Sequence, residues 1–323
     1  WQQVACVSNE LETASTEDKI RIYQTSSFIP EALDDDRDDS IRLYPELDDI
    51  KQCLINPAKF FMQRRLNVNL TQYWDETDVD EPFALDNLQA YLLNEAILET
   101  HLEGRSEDFK QQQKSLGLLP AAGFSEYVLN QSEHKIAPLL EELNSHFPTF
   151  EKMPPQSDCI TISDYQLNGQ LEHLMNGEAG QHVFHFRSGG FKAKQILNLW
   201  LEHLFSCARD DKNTMASSIG LGIDKEGCVE KCEFTPIGKD AAKDYLLQLI
   251  EFVNLCYIQP QPFFLSIALD YLTAESEKKE SILHQASDSE FSQLNDEFVQ
   301  RCFSKVLAED EFQFLNDHIS LWQ

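Results

Sequence analysis

Positive charge is what this sequence is shortest of: 26 Lys and Arg stand against 55 Asp and Glu in 323 residues, a formal net charge of −29. A broad, sequence-independent grip on nucleic-acid phosphates needs clustered cations, so this balance excludes one. Long apolar runs are missing too. Nothing approaches the roughly 18 consecutive apolar residues of a membrane span, and no charged-then-apolar segment opens the chain, which points to a cytoplasmic protein with no membrane partner. The first residue is Trp1 rather than Met, as expected of a piece of something longer. Eight cysteines are scattered, and only Cys228 and Cys232 lie close together, in "CVEKC", too far apart for a zinc knuckle. They read as ordinary thiols, most of them buried. The glycine-rich phosphate loops GxGxxG and GxxxxGK[ST], the GxSxG elbow and HExxH spacing are all absent, which removes nucleotide cradles, a serine hydrolase and a zincin, and no cofactor is expected. No internal repeat occurs.

What is present is a globular composition, 42% hydrophobic with 21 Phe, that divides by pattern. Residues 1–46 show little periodicity and include the acidic run 34–39, which reads as a solvated loop in a lead-in segment or linker. In "LDDIKQCLINPAKFFMQRRL", residues 47–66, Ile50, Leu54, Phe60 and Phe61 recur at helical spacing, with a break at Pro57 that predicts two short helices. An acidic loop, "YWDETDVDEPF", leads to a helix on which Leu85, Leu88, Leu92 and Ala96 are read as the apolar face. A further helix spans "GFSEYVLNQSEHKIAPLLEELNSHF". The period then shortens to two. "DCITISDYQLNGQLEHLM" reads as a strand bent or paired about Asp164 and Tyr165, and "QHVFHFRSG" alternates strictly beyond the turn "NGEAGQ". A helix follows with Leu197, Trp200, Leu201, Leu204 and Ala208 on one face. Two strand candidates come next, "MASSIGLGI" and "CVEKCEFTPI", and then helices over 241–256, 288–307 and 309–322. The plan is α+β.

Alternation places Val183, His185 and Arg187 on one face of their strand, expected outward, and Phe184 with Phe186 on the core face. Glu172, ending the preceding strand, can then approach His185 and Arg187. This order follows the frame of a PD-(D/E)XK nuclease, in which an acid closes one strand and an acid-x-Lys element sits on the next. Mg²⁺ chemistry there needs at least two hard carboxylates, and only Glu172 remains. His185 is a poor Mg²⁺ ligand, and Arg187 cannot stand in for a lysine that shifts its pKa. Three readings stay open: a retained fold without chemistry, a working nuclease with a displaced acid such as Asp164, and an acidic interaction module unrelated to DNA. His173, His182 and His203 read as ordinary surface or core histidines. "RSGGFKAK", with Arg187, Lys192 and Lys194, is the one locally basic stretch and a candidate phosphate contact before a helix.

Several separated strings resemble the RecC family, the gamma subunit of exodeoxyribonuclease V: "NPAKFFMQRRLNVNL", "EPFALDNLQAYLLNEAIL", "LNGQL" and above all "LNLWLEHLFSCA". The resemblance runs from about residue 47 to about residue 260 and is to the family's C-terminal region. It implies a degenerate PD-(D/E)XK restriction-endonuclease-like core, a mixed sheet flanked by helices, with additional helical segments. It sets Glu172, His185 and Arg187 at the former Asp, Asp and Lys positions, and Tyr127 at an upstream metal-holding histidine. It implies no catalysis by the chain itself, RecB and RecD homologues and DNA as partners, and a place in double-strand-break repair and Chi-regulated DNA degradation. The expected division is a lead-in to 46, a helical part over 47–150, the nuclease-like core over 151–260 and C-terminal helices over 261–323.

Overall fold

The computed structural model describes residues 32–70, 87–102, 109, 124–146, 151–177, 180–209, 215–224, 226–275 and 293–303. The loop at 73–83, Leu85, the helix expected over 309–322 and both ends of that expected over 288–307 lie outside them. The chain divides into two compact units, Trp1–Leu70 with Leu247–Gln323, and Thr71–Leu246. The boundaries expected at 46, 150 and 260 follow chain order and differ from this division. Their order cannot register that the early helices share a core with residues beyond 247.

The first unit begins with α1 (Asp39–Arg42), α2 (Leu47–Ile55) and α3 (Pro57–Phe60), which runs on as a π turn over Phe61–Arg65. The expected break is present: Asn56 leaves the helical region, its side chain accepts from the Lys59 amide at 3.0 Å, and Pro57 takes the first helical position, where its missing N–H costs nothing. Ile50, Leu54, Phe60 and Phe61 are all buried, as their spacing predicts. From the far end of the sequence, α7 (Lys239–Ile258) brings Cys256 against Cys53, and Gln293 donates to the Ile55 carbonyl at 3.0 Å. The acidic run is not simply solvated, since Asp35 and Asp36 pair with Arg37 and Arg65, and Arg37 also covers the Tyr257 ring. This unit also holds α8 (Leu265–Thr273), a helix the sequence pattern does not reveal, and α9 (Glu297–Cys302), capped by Asp296.

The second unit carries the sheets. Helices α4 (Asn87–Leu102) and α5 (Phe124–His146) precede β1 (Glu151–Lys152), a ribbon of β2 (Gln156–Ile162) and β3 (Tyr165–Leu171), the hairpin β4 (Leu174–Gly177) and β5 (Gly180–Phe186), α6 (Ala193–Ala208), β6 (Met215–Ile223) and β7 (Val229–Phe234). The five-stranded sheet has the order β1-β4-β5-β6-β7, antiparallel except for β5–β6, which the crossover through α6 makes parallel. The ribbon turns at Ser163 and Asp164, with Ile162 opposite Tyr165. This is an α+β fold with a mixed sheet between helices.

Both sheet faces are covered. On one, Met175, Phe184, Ile219 and Leu221 pack with Leu93, Ile97 and Leu98 of α4 and Leu129, Ile136 and Leu139 of α5. The expected apolar face of α4 is therefore rotated: Leu88 and Leu92 are 64% and 56% exposed, while Leu93, Ile97 and Leu98 are buried. On the other face lies α6, which has ribbon on its far side. Leu197, Leu199, Leu201, Leu204 and Phe205 are buried around most of its circumference, rather than along one stripe, and Trp200 is only half-buried. Gly169 lets the ribbon descend onto it, since a Cβ there would lie 2.7 Å from the Phe205 ring. Burying such side chains contributes roughly 1.5–3 kcal/mol each, which fixes the sheet, α6 and the ribbon as one block.

Candidate functional site

The chain leaves the ribbon at Leu171 and enters the sheet at Leu174, so Glu172 and His173 form the link between them. The Phe184 amide donates to the His173 carbonyl at 2.8 Å and holds that link against β5. A pocket of about 420 Å³ opens here, lined by Glu172, His173, Met175, Phe184, His185, Phe186 and Pro155, with Glu95 and Glu99 arriving from α4. Glu172 and His185 thus meet at one pocket, as the sequence leads one to expect. Arg187 does not line it. Past the end of β5, its guanidinium lies 5.2 Å from the Tyr91 ring centroid. Burial, then the nearby Glu95 carboxylate, pushes the Tyr91 hydroxyl above its ordinary range.

The outward orientation expected of His185 is corrected by α6, which covers that face of the sheet. His185 Nε2 donates to Glu202 Oε2 at 2.9 Å, and the Glu202 side chain is 6% exposed and that of His185 15%. His173 Nδ1 stands 4.0 Å from the same oxygen, and the two imidazole centroids are 4.6 Å apart. His173, His185 and Glu202 thus place three ligand atoms within 4.8 Å of one another. The sequence reading missed Glu202, hidden in the apolar string "LWLEHL", and set His173 among the ordinary histidines. The available signal was a lone carboxylate among the leucines of a buried helix, since a buried charge demands a partner. His182 and His203 do fit that ordinary reading. They pair with Ser217 Oγ at 3.0 Å and Ser218 Oγ at 2.8 Å, and burial holds both below the usual imidazole range.

The remaining candidates lie elsewhere. Tyr127, on α5, is 59% exposed, receives a hydrogen bond from Gln131 and does not line the pocket. Asp164 sits at the ribbon tip, the whole of β3 away from Glu172, which at about 3.3 Å per residue is roughly 25 Å along the strand. It cannot serve as a displaced acid beside Glu172. Lys192 and Lys194 are exposed at the start of α6. The loop before them is already engaged. The Ser188 amide donates to Glu95 Oε1 at 2.5 Å and the Phe191 amide to Glu230 Oε2 at 2.6 Å, so the chain's own carboxylates take two donors a phosphate would need. Cys228 is exposed and Cys232 half-buried; neither joins a metal-ligand group among the described residues.

Mg²⁺, the ion of the nuclease frame, takes hard oxygen ligands in near-octahedral array. A clustered donor set of two imidazoles and one carboxylate does not fit it and suits a softer transition metal. Among the described residues no helix is long and apolar enough to cross a membrane.

Comparison with known proteins adds relatives. A family model described as the RecC C-terminal domain matches residues 44–276. The RecBCD enzyme subunit RecC of Escherichia coli (strain K12) is 25% identical over 206 residues, 64% of this chain and 17% of that protein. The RecBCD enzyme subunit RecC of Haemophilus influenzae is 24% identical over 279 residues, 82% of this chain and 23% of that protein. The chain therefore spans about a fifth of the length of these relatives. A crystal structure from Eubacterium rectale named "putative exonuclease" aligns over 69% of this chain and 85% of its own, at 10% identity and a TM-score of 0.35.

Proposed function

Because the chain belongs to the family of RecC C-terminal domains, we propose that it is a noncatalytic scaffold, a degenerate PD-(D/E)XK core that docks RecB and RecD homologues and helps guide separated DNA strands. One observation carries this reading: where such a nuclease requires a second acid and a lysine, His185 is bound to Glu202 and Arg187 covers Tyr91. Neither group is placed to ligate Mg²⁺ or to activate a water on it. Within a RecBCD-like assembly, hydrolysis and motor activity would then belong to other subunits, and this domain would serve break repair and Chi-regulated degradation through contacts alone.

The test has two parts. The purified chain, given linear or single-stranded DNA with Mg²⁺ or Mn²⁺, is expected to release no nucleotides. Turnover abolished by Glu172→Gln would overturn the noncatalytic reading. Affinity-tagged protein is expected to retain RecB and RecD homologues from the same cell, and failure to retain either removes the scaffold role.

A further inference from the structure

We propose that His173, His185 and Glu202 form a binding site for one divalent transition-metal ion of the zinc class. The three residues come from three elements, the link leaving the ribbon, strand β5 and helix α6, which hydrogen bonds already bring together at this point. Their ligand atoms lie within 4.8 Å of one another, with separations of 2.9 Å from His185 and 4.0 Å from His173 to the shared Glu202 oxygen. A tetrahedral ion with bonds of about 2.0–2.2 Å spaces its ligand atoms about 3.4 Å apart. The observed triangle brackets that spacing, so small side-chain rotations suffice to close it on an ion.

The chemistry of the donors selects the metal. Two imidazole nitrogens and a single carboxylate oxygen favour zinc, cobalt or nickel over magnesium or calcium, which require more oxygen atoms. Glu202 is 4% exposed, and a cation beside it compensates a buried charge. His173 and His185 line the pocket, which gives the ion a route in and leaves a fourth position for water. Glu95, Glu99 and Glu172 on the same wall draw cations towards it. An ion so held would pin the ribbon to the sheet and to α6. The site is independent of whether the core hydrolyses DNA, because it is defined by binding.

The full chain, freed of metal with a chelator, is titrated with Zn²⁺ by calorimetry, with Mg²⁺ as the comparison and Co²⁺ for its visible spectrum. One Zn²⁺ per chain is expected, with no displacement by excess Mg²⁺, a ligand-field spectrum of low-coordinate Co²⁺, and a higher unfolding midpoint for the loaded chain. His173→Ala and Glu202→Gln should each weaken Zn²⁺ at least about tenfold. Among the described residues the exposed thiols Cys159 and Cys228 are competing ligands, and their double Ser variant should bind Zn²⁺ as the parent does. His173→Ala, at a half-exposed link position, carries the test if Glu202→Gln fails to fold. No saturation at one ion per chain, unchanged affinity in His173→Ala, or binding lost with the two cysteines overturns the site.

Discussion

Replacing Gly222 by Ala should destabilise the second unit by about 2–3 kcal/mol. A Cβ at this position of β6 would lie 2.8 Å from the Gly189 carbonyl oxygen, 2.9 Å from the Phe191 nitrogen and 3.0 Å from Phe191 Cβ. Two of these neighbours are backbone atoms, so no side-chain rotation relieves the clash. Carbon contacts are comfortable at about 3.5 Å or more, and the 188–191 loop must retreat by about half an ångström. Retreat stretches two hydrogen bonds that hold the loop, Ile223 N to Gly189 O at 3.1 Å and Phe191 N to Glu230 Oε2 at 2.6 Å. Overpacking of this kind costs about 1–3 kcal/mol, and each weakened bond contributes up to about 1 kcal/mol. The lower unfolded-state entropy of Ala returns about 0.4–1 kcal/mol. Urea unfolding of parent and variant measures the difference, and faster amide exchange at Leu221 and Ile223 should accompany it. Gly238, where an added Cβ meets nothing within 4 Å and which precedes α7, is the control; Gly238→Ser should fall within about 0.5 kcal/mol of the parent. If Gly222→Ala is as mild as that control, the loop is not held against β6 as described.

Gly169→Ala should cost about 1–3 kcal/mol by forcing the Phe205 ring off the ribbon, and urea midpoints would show it. Burial holds the folded pKa values of His182 and His203 below the ordinary imidazole value of 6.5, so at lower pH the unfolded chain binds more protons. The stability they contribute is complete above about pH 6.5 and is lost as pH falls through their folded values. Glu233 acts weakly in the opposite sense on His182, and a hydrogen bond to Thr235 does so on His203. Comparing urea midpoints at about pH 8 and about pH 5.5 with those of the His182→Asn/His203→Asn chain isolates the effect; equal acid losses in both would refute it. Among the described cysteines, exposed Cys159 and Cys228 should be labelled first by a maleimide under native conditions. Cys302, pushed up to about 12 by burial, should be labelled only in denaturant, as should buried Cys53 and Cys256, and mass spectrometry of the labelled peptides would reveal the order.

Local patterns were legible wherever one residue type dictates geometry. Pro57 ended a helix, alternation marked β5, and Asp164 with Tyr165 marked the ribbon turn. What failed was the assumption that each element buries one face. Helix α6 is enclosed by sheet and ribbon together, so its polar members are internal rather than solvated, and periodicity alone has no means of distinguishing those cases. The rotated face of α4 has the same origin: Leu88, Leu92, Leu93 and Ile97 all suit a helix, and only the position of α5 and the sheet decides which are covered.

That failure is also why half of the candidate site was invisible. An outward-facing His185 invites comparison with the strand before it, hence with Glu172, the neighbour supplied by alternation. With α6 laid over that face, the partner of His185 becomes a residue 17 positions later on a helix, and His173 joins because the link between ribbon and sheet must pass beside β5. The acid touching His185 comes from the crossover helix, and Glu202 stands hydrogen-bonded within a helix whose neighbouring residues are chiefly apolar. Keeping a charge there costs several kcal/mol in desolvation unless its partners offset it, so a substitution in the His–Glu cluster should cost more stability than one at exposed Glu172.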